Sequence, residues 1–194
     1  MPLAFPYEVY SHPLLSPEAM GRIAAAHEEA FFRKNDFVLQ AGQKARGYHV
    51  LGSGLMRSYV YDPQGRDITT GFYTAPGVVI NAASLFQQQP SLEHFQTLTD
   101  CNSWYIDFGA FQALFHELQG LREWGRAWMA GQLFEHRQRQ VEMITQPALE
   151  RYCQLLERQP DVVQYAPLKH VATYLGMTDS SLSRIRKTLA QNGR

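Results

Sequence analysis

The chain predicts an α+β fold: an N-terminal antiparallel β-barrel of the jelly-roll kind with flanking helices, a long helix, and a C-terminal helix-turn-helix. Three observations carry this. Between Phe37 and Ile106, short runs rich in Val, Ile, Thr, Tyr and Phe alternate with turn residues. Asp107 to Met143 holds no proline and repeats an apolar seam, and Leu168 to Leu189 contains two periodic apolar sets split by a glycine.

The first element is a helix predicted over Pro17 to Phe32, with Ser16 as its N-cap. Strands follow at Phe37 to Gln40, Tyr48 to Leu51, Leu55 to Tyr61, Ile68 to Tyr73, Val78 to Ile80, Phe95 to Thr99 and Trp104 to Ile106. Their punctuation is Ala41-Gly42, Gly52-Ser53-Gly54, Asp62-Pro63-Gln64-Gly65, Ala75-Pro76-Gly77 and Gln89-Pro90-Ser91, each with a residue suited to a tight turn. Short strands at such regular spacing close into a small barrel or jelly roll.

A single long helix is predicted over about 107–143. Leu114, Leu118, Leu121, Gly125 and Trp128 form its seam near heptad spacing, while Trp124, Trp128, Met129 and Phe134 cover more than one face. One face is therefore expected on the barrel and another on a second copy of the chain. Pro147 ends the run, because proline disfavours helix at the preceding residue, and the boundary near Thr145 to Pro147 divides residues 1–145 from 146–194. An amphipathic segment, Ala148 to Gln159 with Leu149, Tyr152, Leu155 and Leu156, precedes the break at Gln159-Pro160-Asp161.

The last segment, LKHVATYLGMTDSSLSRIRKTL, carries the most direct functional signal. Leu168, Val171, Ala172 and Leu175 set one short helix; Leu182, Ile185 and Leu189 set a second. Ala172 is small where the two must approach, Gly176 can take the left-handed turn, Met177 closes the small core, and Thr178 is a good N-cap. At about 100° per residue, Ser180, Arg184 and Lys187 project opposite the apolar stripe. A recognition helix over about 178–190 fits the major groove, and the residues assigned to double-stranded DNA are Lys169, Thr178, Ser180, Ser181, Arg184, Lys187 and Thr188. A helical hairpin that only caps a domain would need none of this combination.

Composition limits the alternatives. The 194 residues have a formal net charge of zero, so attraction to nucleic acid must be local. It is local: beyond Pro167, Lys169, Arg184, Arg186, Lys187 and Arg194 face only Asp179. Cys101 and Cys153 are too few for a disulfide framework or a cluster site, and buried free thiols are expected. With no leader pattern and no run of membrane-spanning length, the chain is read as cytoplasmic, without membrane contact. No cofactor and no metal site are assigned.

The order helix, barrel, long helix, helix-turn-helix resembles the Crp/Fnr family of transcription regulators over nearly the whole chain. The residues that carry the resemblance are the C-terminal segment quoted above and GLMRSYVYDPQGRDITTGFYTAPGVV, Gly54 to Val79, which looks like the middle strands of a cyclic-nucleotide-binding-type barrel. The resemblance implies a homodimer joined along the long helix, a sensory barrel, a palindromic operator and RNA polymerase as a further partner. It also implies that Thr178, Ser180, Ser181 and Arg184 lie at the start and middle of the recognition helix, Arg184 being suited to a bidentate contact with guanine. Asp179 and Ser180 stand where the best-known members carry Arg and Glu, so the operator should differ; an Asp there also suits the helix dipole.

The barrel departs from the family pattern too. In NAASLFQQQPSLEHFQTLTD, Asn81 to Asp100, the family's Gly-Glu pair becomes Asn81-Ala82, and the Arg that holds the cyclic phosphate is missing. A buried phosphodiester without a paired cation is costly, so the effector is expected not to be a cyclic nucleotide. Phe72, Asn81, Ser84, Phe86, Phe95 and Gln96 are expected to line a pocket for a small uncharged or aromatic compound, if there is an effector. His49 and His94 stand isolated, which leaves them as barrel histidines rather than axial or metal ligands. A cupin-like metal enzyme would need a His-x-His pair with an acidic ligand, and the barrel segment has none. The chain is therefore read as a non-enzyme. The remaining alternative is a dimeric protein-interaction module that does not touch DNA.

Overall fold

The computed structural model describes residues 4–192. Helix α1, Pro17–Ala25, starts where expected, because Ser16 Oγ accepts the Ala19 amide at 3.2 Å and Pro17 occupies a position that needs no amide proton. It ends early. The residues after it, predicted as the same helix, form strand β1, Glu28–Phe32, paired antiparallel with Cys101 to Tyr105. Glu28, Glu29 and Ala30 are good helix formers locally, and the hydrogen-bonding edge of a distant strand overrides that preference.

The remaining strands are β2 Phe37–Leu39, β3 Gly47–Ser53, β4 Leu55–Tyr61, β5 Asp67–Thr74, β6 Gly77–Val79, β7 His94–Thr97 and β8 Cys101–Asp107. They form two four-stranded antiparallel sheets, ordered β1-β8-β3-β6 and β2-β7-β4-β5, which is a jelly-roll arrangement. Only glycine suits the β3 to β4 turn: Gly54 has φ +97°, and a Cβ there would stand 2.5 Å from the Asp100 carbonyl oxygen. A short helix that the sequence did not announce, α2 Ala82–Gln87, connects β6 to β7 and is capped by Asn81.

Alternation along the strands divides the apolar residues between two sides. Leu51, Met56, Val79, Phe95 and Cys101 fill the space between the sheets. Tyr48, Val50 and Ile106 face outward to pack with Tyr10, Ile23, Phe111, Leu121 and Trp124. The single long helix of the sequence reading is two helices, α3 Phe108–Glu117 and α4 Gln119–Thr145, separated at Leu118, whose φ of −95° and ψ of 108° are extended. The bend lets Phe111 and Leu114 on one helix and Leu121 and Trp124 on the next reach the same core. It also requires small residues: a Cβ at Gly120 would collide with the Leu14 carbonyl, and one at Gly125 would lie 2.8 Å from the Phe115 ring.

Four helices complete the described residues: α5 Ala148–Arg158, α6 Pro160–Tyr165, α7 Leu168–Tyr174 and α8 Asp179–Asn192. Their core of Tyr152, Leu155, Val162, Val171, Ala172, Leu175 and Leu182 includes Leu55, Phe72 and Leu98 of the barrel. Cys101 is buried and Cys153 half-buried, and the two thiols are free. Among the described residues no helix is long and apolar enough to cross a membrane.

Candidate nucleic-acid interface

The junction of α7 and α8 closes by backbone hydrogen bonds. The Met177 amide donates to the Ala172 carbonyl at 3.0 Å and the Gly176 amide to the Thr173 carbonyl at 3.1 Å, with Gly176 at φ +66°, a Schellman stop that turns the chain sharply. Thr178 Oγ1 then accepts the Ser181 amide at 3.2 Å and caps α8. Ala172 is fully buried where the helices cross, and Leu182, Ile185, Leu189 and Met177 pack into the shared core.

The opposite side of α8 faces solvent. Ser180, Arg184, Arg186, Lys187 and Thr188 are exposed, Ser181 is half-buried against the cap, and Lys169 is exposed on α7. The structure therefore gathers Thr178, Ser180, Ser181, Arg184, Lys187 and Thr188 on one helix, with Lys169 on the preceding one. Among the described residues, none of Lys169, Arg184, Arg186 and Lys187 has a carboxylate within ion-pair distance. Arg184 Nε donates to the Ser180 carbonyl at 3.3 Å, and Thr188 Oγ1 donates to the Arg184 carbonyl at 3.1 Å. A rigid helix presenting hydroxyls and unpaired cations can hydrogen-bond base edges and phosphates in a groove.

The residues expected to line an effector pocket do not converge. Asn81 and Phe95 border a cavity of about 590 Å³, together with Val38, Leu39, His49, Val79 and Tyr105, with Lys44 and Arg46 at its rim. Ser84 instead ties two loops, accepting the Ala45 amide at 2.9 Å and donating to the Gln89 carbonyl at 2.6 Å. Phe86 is exposed and meets the Phe108 ring edge-on. Phe72 turns outward onto Tyr174, and Gln96 turns outward to Arg57. Strand alternation sends these last two away from the interior. In the cavity wall, Ser103 Oγ donates to the Ala30 carbonyl, so His49 Nδ1 is the donor in its 3.1 Å contact with Ser103. Burial, with a smaller effect from His27, lowers the His49 pKa to about 4.

A polar cluster that the sequence did not announce joins the barrel to α7. Arg57, 3% exposed, makes a bidentate pair with Asp67 at 2.6 Å to each carboxylate oxygen, and Nη1 also reaches Thr69 Oγ1 at 3.2 Å and His170 Nδ1 at 2.8 Å. Its guanidinium lies 4.0 Å from the centre of the Tyr59 ring. Beside it the Thr69 amide donates to Thr173 Oγ1 at 3.2 Å. From α4, Arg139 donates to the Thr70 and Tyr174 carbonyls at 3.3 and 2.8 Å and covers the Tyr174 ring. An arginine pointing out of a strand reads as solvent-exposed in sequence, and nothing local shows that another helix lies over it.

Residues 29–117 match the cyclic nucleotide-binding domain family. No curated protein matches the chain by sequence. Among solved structures, FixK2 from Bradyrhizobium japonicum superposes with a TM-score of 0.73 at 19% identity, over 86% of this chain and 86% of that one. The c-di-GMP-responsive global regulator CLP of Xanthomonas campestris superposes with a TM-score of 0.71 at 14% identity, over 92% of this chain and 93% of its own. The catabolite activator protein of Thermus thermophilus gives 0.59 at 16% identity, over 92% and 85%. The chain shares the fold of these proteins along most of its length.

Proposed function

We propose that the chain is a homodimeric, sequence-specific DNA-binding transcriptional regulator of the Crp/Fnr type, working in the cytoplasm and without catalytic activity. The observation that carries the reading is the α8 face: a capped helix, held by a Schellman turn, that presents Ser180, Arg184 and Lys187 to solvent with no carboxylate partner among the described residues. The likeness of fold to FixK2 and CLP supports it. Residues 1–145 are the sensory and dimerising part in this reading, residues 146–194 the DNA-reading part, and RNA polymerase a further partner.

Dimerisation is assigned to α4 beyond the barrel. Met129, Leu133, Phe134, Val141 and Ile144 are exposed there, at 47, 68, 70, 44 and 85%. Phe134, Val141 and Ile144 continue a heptad spacing that a parallel copy of the helix can cover. The effector is a compound other than a cyclic nucleotide. Asn81 to Asp100 contains no arginine to pair with a buried phosphodiester, which is costly to bury without a counter-charge.

Selection from a random duplex library at moderate salt tests the reading. A palindrome with half-sites about one helical turn apart is expected, as two-fold symmetry of the protein demands. Failure to enrich any sequence, with dimerisation intact, favours the protein-interaction module instead.

A further inference from the structure

The contact between the barrel and α7 depends on a proton. A guanidinium has donors and no acceptor, so the 2.8 Å approach of Arg57 Nη1 to His170 Nδ1 requires a lone pair on that nitrogen. His170 is thus neutral in this arrangement, carrying its proton on Nε2. His170 is 7% exposed, and the Arg57 group that faces it is fixed from behind by both oxygens of Asp67. We propose that Arg57 is the positioning residue that seats the helix-turn-helix on the barrel, and that its hydrogen bond to neutral His170 makes this seat open as the medium is acidified.

The charges acting on His170 come from both sides of the contact. Burial comes first in lowering its pKa to about 4, followed by Arg57 on β4; Asp67 on β5 opposes them from 3.9 Å, and Lys169 on α7 adds to the lowering. Once α7 leaves the barrel, the imidazole returns towards its ordinary value of about 6.5. Between those limits the released form binds the proton and the seated form does not, so seating weakens by about tenfold for each pH unit of acidification. The surrounding contacts move with it, since Thr173 and Tyr174, which meet Thr69 and Phe72, lie on the same short helix. The angle at which α8 leaves the barrel is then set by a titratable contact.

The inference rests on α7 and α8 being the DNA-reading unit, but its test needs no DNA. Amide resonances of Thr69 and Thr173 in the full chain report the seat directly, and the His170 imidazole resonances report its protonation. Titration from pH 7.5 to 4.5 should move all of them together. His170→Gln, whose amide oxygen accepts from Arg57 at any pH, should keep the seated resonances and lose the transition. Arg57→Met should shift the Thr69 and Thr173 resonances at neutral pH and raise the His170 pKa. If Arg57→Met does not fold, His170→Gln still decides. An unchanged transition in His170→Gln, or a His170 that is already protonated at pH 6.5, overturns the proposal. Loss of sequence-selective DNA binding with the seat behaviour intact would overturn the regulator reading and leave this one standing.

Discussion

The barrel and the C-terminal helices bury their apolar residues in different ways. The barrel fills its interior with its own strands, through Leu51, Met56 and Phe95, and its outer face with its own helices, through Tyr48, Ile106 and Trp124. The helices from Ala148 onward complete their core with Leu55, Phe72 and Leu98 of the barrel. Helix α8 therefore takes its orientation from the barrel surface as well as from its own turn, and a change in the barrel has a direct route to it.

Replacing one phenylalanine in each region should break or confirm that contrast. Phe72→Ala and Phe111→Ala each remove a ring that is 7% exposed, and each should cost about 3–5 kcal/mol in chemical denaturation. Only Phe72→Ala should also perturb α7 and weaken DNA binding, because its ring meets Tyr174 edge-on at 5.0 Å. Equal effects of the two on α7 resonances would erase the distinction.

Acid should act on both regions, with separable sources. His27 is pushed below its ordinary pKa by burial, and His49 and His170 fall to about 4. A base whose folded pKa is depressed stays neutral in the fold while the unfolded chain takes up a proton. Stability is thus complete above about pH 6.5 and falls as pH drops towards 4, by up to about 3 kcal/mol for the well-buried His170. Denaturation midpoints from pH 8 to 4.5 should show this decline, and His49→Gln and His170→Gln should each remove a separate part of it.

The exposed end of α4 offers a third test. Phe134→Glu should leave the barrel's unfolding transition nearly unchanged while loosening the proposed dimer by about 2 kcal/mol or more, as for a central apolar interface residue. Sedimentation at several concentrations reads the difference.

Much of this organisation was legible in the residues themselves. The strand Leu55–Tyr61 and the Thr178 cap follow from local pattern, since an apolar and aromatic run between turn residues and a hydroxyl before a periodic run act within a few residues. What escaped depends on partners distant in sequence. Glu28–Phe32 is a strand because β8 pairs with it, and Leu118 bends because two helices share one core. Arg57 is buried because α7 lies over it, and Phe72 and Gln96 leave the cavity because the strand register turns them outward. Asn81 and Phe95 are the residues of the expected pocket that do border the cavity.

The most direct test of the regulator reading is duplex selection carried out side by side on the native chain and on Arg184→Ala. The native chain should enrich a palindrome, and the variant should bind it about 1–3 kcal/mol more weakly while losing preference at one position in each half-site. No enriched sequence for the native chain, or a recognition pattern in which Arg184 makes no difference at any position, would contradict it.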